Sequence, residues 1–202
     1  KRLGERFRFF HVSPLKGFKA GALNFALRNM APDTEIVGVI DADYIIEPDW
    51  LKSLVPYFDR ADIGFVQAPQ DHYDWKGNTF KEFINWEYAG FFQIGMVQRN
   101  ERDAIIQHGT MTLIRRAAME HVGPWAEWCI CEDAEMGLRL LAGGWHSVYT
   151  DRRFGYGLTP DSFAGYKSQR FRWAYGAVQI MKRHWREMLP GSDRKLDPMQ
   201  RY

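Results

Sequence analysis

The sequence predicts an α/β fold in which a mainly parallel sheet is flanked by helices, and three observations carry that expectation. Short apolar runs bounded by turn residues alternate with amphipathic stretches of about 10 to 15 residues, the pattern of crossover units in parallel sheets. The apolar run in "EIVGVIDA" (35–42) leads straight into Asp41, at what would be the carboxyl end of a strand, the edge where α/β folds bind ligands. The chain has 202 residues, 46% hydrophobic and 26% charged, enough to bury one sizeable core. No repeat, low-complexity tract or linker interrupts it, so residues 1–202 read as a single domain.

Each element has its own signal. "RFRFFHVS" (6–13) alternates and reads as a strand, and "KAGALNFALRNM" (19–30) sets Ala20, Leu23, Leu27 and Met30 on one helical face before Pro32 and Asp33 end it. "EIVGVIDA" is the next strand. A helix follows over "EPDWLKSLVPYF", with Pro48 near its start and Trp50, Leu51, Leu54 and Val55 as its stripe. "IGFVQAPQ" (63–70) is a third strand, 78–98 a long helical stretch, and "AIIQHGTMTLIRR" (104–116) a strand pair broken at Gly109. "EDAEMGLRLLAGG" (132–144) reads as a helix closed by Gly143 and Gly144, with a strand "WHSVYT" after it. The last element is a helix over 160–188 containing "QRFRW".

Composition narrows the partners. A net charge of +2 gives no bulk attraction for nucleic acid. Cys129 and Cys131 are separated by one residue, too close for an unstrained bridge and without a second ligand pair for structural zinc, which points to a reduced, cytosolic compartment. No apolar run reaches the ~18 residues of a membrane span, and Lys1 to Arg8 lacks the apolar centre of a signal peptide. The aromatic share is 15%, with eight Trp, which suits a carbohydrate or a membrane surface.

Four stretches carry candidate chemistry. In a strand, residues two apart face one side, so Asp41 and Asp43 are expected together at a strand's carboxyl end. Two adjacent carboxylates repel, so either one pKa rises or a cation neutralises both, and for a cation the hard oxygen ligands suit Mg²⁺ or Mn²⁺ bridging to phosphate oxygens. Turn or cap residues would look the same. Lys16 and Lys19 flank Gly17 before a helix, a place that suits an anion or simply solvates two ammonium groups. Glu132 and Asp133 open a helix, where the macrodipole favours an ionised carboxylate that accepts a proton, or an ordinary cap. Gln169, Arg172 and Trp173 share one helical face, suited to hydroxyls, a phosphate and a sugar ring, while Arg170 and Phe171 turn elsewhere. Core packing of Trp173 is the plainer alternative.

Taken in order, "KAGALN", "DAD", "CED" with "GLRLLAGGW", and "QRFRW" resemble the family 2 glycosyltransferases of the processive, membrane-embedded kind: cellulose, hyaluronan and bacterial β-glucan synthases. The likeness runs from about Arg6 to His184. It implies a GT-A, Rossmann-like domain that moves a sugar, glucose by the closeness to glucan synthases, from a UDP-sugar to a growing polysaccharide with inversion. It further implies that Lys19 meets the donor diphosphate and that Asp41 and Asp43 hold nucleotide and metal. Asp133, with Glu132 beside it, would be the general base. Arg172 would bind the pyrophosphate, Gln169 would help close the donor site, and Trp173 would lie under the acceptor sugar. Gln67, His108, Gly109 and Thr110 fall in segments that resemble the acceptor side of the cleft. Relatives begin with further strands bearing a uridine-binding acid, so the resemblance implies an N-terminally truncated domain; it also shows Thr where Cys131 stands. The expected location is the cytoplasmic face of a membrane, with the basic, Trp-bearing last helix in the interface. A nucleotide-sugar pyrophosphorylase would share the paired Asp but does not need "QRFRW"; a non-catalytic carbohydrate-binding module would be indifferent to metal.

Overall fold

The computed structural model describes residues 4, 7–189 and 196–201. Its sheet has four strands in the order β1 (Ile36–Val39), β4 (Thr112–Arg115), β3 (Ile63–Gln67), β5 (His146–Tyr149). β4 runs antiparallel to both neighbours, and β3 pairs with β5 in parallel. Three of the four strands share one direction, but the reversed β4 stands between β1 and β3, so the β3–β5 ladder alone is parallel in this sheet where the sequence predicts mainly parallel pairing.

Every residue of β3 is buried because both sheet faces are covered. On one face Val37, Val39, Phe65 and Ile114 meet apolar residues of α3 (Thr79–Ala89), α5 (Arg116–Val122) and α6 (Glu132–Ala142). On the other, Ile63, Val66 and Leu113 meet Trp50 and Leu54 of α2 (Trp50–Leu54), Phe58 and Phe154. Ile63 and Phe65 serve different faces because the β3–β5 register shifts between them at Gly64. A side chain at Gly64 would stand 2.7 Å from the Trp145 Cβ, so glycine there lets β3 and β5 approach. A two-stranded sheet of β2 (Ile45–Ile46) and β6 (Gly155–Tyr156) lies beside this core.

α1 (Phe18–Arg28), β1, β3, α6 and β5 lie where the sequence places them. α7 (Phe163–His184) starts three residues later than expected because Ser162 caps it, its hydroxyl accepting from the Gly165 amide at 3.2 Å. The helix at 50–59 is cut short: Pro56 has no amide hydrogen to give, and Val55–Asp59 continues as a 3₁₀ turn that leaves Leu51 and Val55 exposed. The long helix over 78–98 divides into α3, a π-helical turn at Gly90–Gly95, and α4 (Met96–Asn100). Two predicted strands do not form. Among the described residues of 6–13, positions 7–13 find no ladder partner, and the Phe10 ring rests on Phe25 at 5.4 Å instead. At 104–108 the chain is irregular, and the His108 amide donates to the Gln67 side-chain oxygen at 2.9 Å rather than to a strand.

Candidate active site

The carboxyl ends of β1 and β3 and the segment entering β4 share one edge of the sheet, because β4 is reversed. The β1–β4 ladder stops at Val39 opposite Thr112. Just beyond it the Asp41 amide donates to the Thr110 hydroxyl at 3.0 Å, and the Tyr44 amide closes a turn on the Asp41 carbonyl at 3.1 Å. Strand periodicity therefore does not align Asp41 with Asp43, as the sequence suggested; the strand has already ended, and the turn places each carboxylate. Asp41 pairs with the Lys19 ammonium. Asp43 is exposed and has no hydrogen bond or ion pair among the described residues.

Lys19 lies in the first turn of α1, not in a loop, and also donates to the Gly109 carbonyl at 2.8 Å. Its backbone is tightly held: a Cβ at Gly21 would fall 1.8 Å from the Lys16 carbonyl, so only glycine lets the turn fold over the loop before it. Lys16 itself is exposed. A Cβ at Gly109 would stand 2.9 Å from the Lys19 ammonium and 3.0 Å from an Asp133 carboxylate oxygen. Asp41, Lys19 and Asp133 thus converge on one stretch of bare backbone.

Gln67 and His108 play different parts from those the resemblance implied. Gln67 is fully buried; its amide donates to the Ala68 and Thr110 carbonyls at 2.9 Å, and its oxygen accepts from His108. It staples the 108–111 segment, and both ends of its amide are already engaged. The His108 ring lies against Phe91 and Phe92, 5.5 and 5.0 Å between centroids. Burial pushes its pKa down to about 4, so at neutral pH it is uncharged, has no proton to give as an imidazolium acid, and is a weaker base than an ordinary histidine. Thr110 is buried and serves the Asp41 amide.

Glu132 and Asp133 open α6. Asp133 accepts from the Ala134 amide at 2.8 Å. The helix start was expected to keep these acids ionised, yet burial outweighs it: burial raises the Asp133 carboxyl, with the Ala134 amide and Lys19 opposing. Glu132 is pushed up to about 7 by burial first and by the Asp133 charge second. A raised folded-state pKa means the folded protein holds its proton more tightly, so stability falls as pH rises from the ordinary Glu value, about 4.3, toward 7. Glu132→Gln removes that loss. Its melting temperature should exceed wild type above pH 7 by the equivalent of roughly 1–3 kcal/mol, with the gap closing near pH 4. An equal gap at both ends of a thermal-melt series would rule this cause out.

α7 lies across the start of α6. The Cys131 sulfur is 3.8 Å from the Arg172 carbonyl and 3.9 Å from that of Trp173. One turn on, a Cβ at Gly176 would lie 2.3 Å from the same sulfur. Gln179 clasps the adjoining loop, accepting from the Ile130 amide and donating to the Trp128 carbonyl, each at 3.1 Å. The Arg172 guanidinium is exposed, and among the described residues its one hydrogen bond is to Ser168, at 3.5 Å, while the Gln169 oxygen accepts from Arg170 at 3.4 Å. Trp173 is 43% exposed, its ring 6.1 Å from that of Tyr88. Tyr88 packs on Phe92 at 5.6 Å, and Phe92 on His108, so an aromatic series joins α7 to the Gly109 segment. Tyr88, Gly176 and Gln179 escaped the sequence reading; only Tyr88 gave a signal, one turn after Ile84 on the buried face of α3.

A cavity of about 460 Å³ lies at the opposite edge of the sheet, beside His146 and Asp103. The Asp103 carboxylate there is engaged by His146 at 2.5 Å and by the Ser147 amide and hydroxyl at 2.7 Å, which reads as a structural tie.

Residues 4–176 match the family described as Glycosyltransferase like family 2. The chain belongs to this family. The family 2 domain is 31% identical to the UDP-forming cellulose synthase catalytic subunit of Dictyostelium discoideum, covering 92% of this chain and 19% of that protein. It is also 31% identical to cellulose synthase 2 of Novacetimonas hansenii, over 81% of this chain and 10% of the relative. It therefore spans a fifth or less of these curated relatives. Among solved structures, the mannosyltransferase PcManGT of Pyrobaculum calidifontis, in complex with GDP-Man and Mn²⁺, superposes with a TM-score of 0.62 at 21% identity, over 90% of this chain and 46% of that one. S. aureus TarS 1-349 in complex with UDP-GlcNAc gives 0.52 at 13% identity, covering 88% of this chain and 48% of that one. At these identities the likeness is one of fold: a central sheet flanked by helices, as in GT-A enzymes.

The carboxylates of the site bear on whether a divalent ion fits. No group of three or more His, Cys, Asp or Glu that could hold a metal occurs among the described residues. The domain offers the Asp43 carboxylate, free of protein partners among those residues, with Asp41 two positions before it. That fits Mg²⁺ or Mn²⁺, which bind through one or two carboxylates and take their other ligands from phosphates and water.

Proposed function

We propose that this domain transfers a sugar, glucose in our reading, from a UDP-sugar to the end of a growing β-glucan or related polysaccharide, inverting the anomeric centre. The observation that carries the reading is the convergence of Lys19, Asp41 and Asp133 on the bare Gly109 backbone, with the start of α6 pinned against α7. Transfer creates negative charge on a leaving diphosphate and releases one acceptor proton. Lys19, held by Asp41, and Arg172, exposed on α7, supply fixed positive charge for the first task. Mg²⁺ or Mn²⁺ held by Asp43 and Asp41 would neutralise the diphosphate further. Asp133 takes the proton from the acceptor hydroxyl, helped by burial that makes it a stronger base than an ordinary aspartate. Trp173 offers an exposed indole on which an acceptor sugar ring can stack, and Gln169 lies one turn before it.

α7 supports a membrane-side placement. Phe171, Val178, Met181 and Trp185 are exposed along it, and Lys182, Arg183 and Arg186 are exposed near its end. Such a face suits an anionic cytoplasmic leaflet. No helix among the described residues is long and apolar enough to cross a membrane.

Calorimetric titration of the complete protein with UDP-glucose, with and without Mn²⁺, tests the reading. Saturable binding should require the metal, and Asp43→Asn should weaken it at least about tenfold, in line with the cost of a lost ligand. Glycan binding indifferent to metal, without UDP-sugar turnover, would favour a binding module instead.

A further inference from the structure

The Arg170 side chain was expected to point away from the "QRFRW" face, and it does the opposite. Its guanidinium lies 4.3 Å from the Trp173 ring centroid, 4.7 Å from that of Tyr166 and 5.4 Å from that of Tyr88. One terminal nitrogen donates to the Glu87 carboxylate at 2.6 Å, and the Tyr166 hydroxyl donates to the same oxygen at 3.1 Å. The Arg170 Nε is buried and has no partner among the described residues. A cation is thus enclosed by three aromatic rings and fixed by one carboxylate, across the junction of α3 and α7.

We propose that Arg170 is the positioning residue for the Trp173 indole, and that through it the domain sets affinity for the polysaccharide acceptor rather than for the UDP-sugar. This rests on the function proposed above. A planar guanidinium stacked on an indole restrains the ring in tilt as well as distance, and Arg does so better than Lys because its charge is spread over a plane. The ion pair to Glu87 fixes the guanidinium in turn, so α3 decides where an α7 indole stands. Besides Trp173, the guanidinium meets Glu87, Tyr88 and Tyr166 and, more weakly, the Gln169 side-chain oxygen at 3.4 Å; these contacts include neither Asp41 nor Asp133.

The test uses Arg170→Lys, Arg170→Gln and Glu87→Gln in the complete protein, with two independent readouts. The first is spectroscopic: the near-UV dichroism that disappears on Trp173→Phe isolates the Trp173 signal from that of the other tryptophans. That signal should collapse in Arg170→Gln and weaken in Glu87→Gln, while the far-UV helical signal is kept. The second is kinetic: acceptor KM should rise about tenfold in Arg170→Gln and less in Arg170→Lys, the scale of one desolvated cation–π contact, with donor KM within about twofold of wild type. An unchanged Trp173 signal overturns the proposal whatever the activity does. A donor KM that rises as much as the acceptor KM also overturns it. A collapsed signal in a protein that never turns over UDP-sugar leaves the positioning intact and defeats the proposed function instead.

Discussion

Asp133→Asn should lower the transfer rate by about 10²- to 10⁴-fold, the usual worth of a positioned general base, while UDP-sugar affinity stays near wild type. The asparagine keeps the size of the side chain and an oxygen for the Ala134 amide, so α6 starts as before. What disappears is the capacity to accept a proton beside Gly109. Since burial raises the Asp133 carboxyl, the base is protonated at a higher pH than an ordinary aspartate, whose pKa is about 3.9. The acid limb of the wild-type pH–rate profile should therefore lie above that value and be missing from the residual rate of the variant. Stopped assays with radiolabelled donor over a pH series read both. A variant that retains its rate, or loses donor binding in the same measure, would assign Asp133 to the donor instead.

Gly176→Ala is expected to be nearly as damaging from a residue that touches no substrate. The added methyl would sit 2.3 Å from the Cys131 sulfur, 2.7 Å from its Cβ and 3.1 Å from an Ile130 methyl. The sulfur can rotate away, but the Cβ is fixed to the backbone. α7 must then shift off the start of α6, carrying Arg172 and Trp173 relative to Asp133. A displacement on the order of 1 Å costs about 10² in rate, and overpacking costs about 1–3 kcal/mol of stability. Helical content should stay the same, with a lower melting temperature and lower kcat. Cys131→Gly combined with Gly176→Ala should recover much of the rate, whereas Cys131→Ala should recover little, because it keeps the Cβ. Equal rates for both double variants would disprove this steric account.

Much of the fold was legible because its cause is local. The apolar runs at 36–39 and 63–67 and the stripe of α6 state their burial in one segment of sequence. The acids at 41 and 133 and the lysine at 19 were legible for the same reason, each beside an element end, and "QRFRW" because its spacing sets Gln169, Arg172 and Trp173 on one helical face. What escaped depends on partners far along the chain. Residues 104–108 look like a strand, but whether they become one depends on Gln67, about forty positions away, taking the His108 amide. The direction of β4 is a matter of pairing and has no period to betray it. Arg170 follows helical geometry, yet its side chain is drawn toward Glu87 and three rings, two of those groups on another helix. Gly176 shows nothing until Cys131 is placed beside it.

The reversed strand has a consequence for how such a domain can diversify. Because the chain enters β4 at the edge where β1 leaves, the few residues before it reach Asp41 through Thr110, Lys19 through the Gly109 carbonyl and Gln67 through three backbone contacts. Dropping or adding one residue there would move all of these contacts in the same stroke, whereas the exposed bend at Lys76 and Gly77 touches none of them. Substrate preference in this architecture should drift by changes to peripheral side chains and bends, while the short approach to β4 keeps its length.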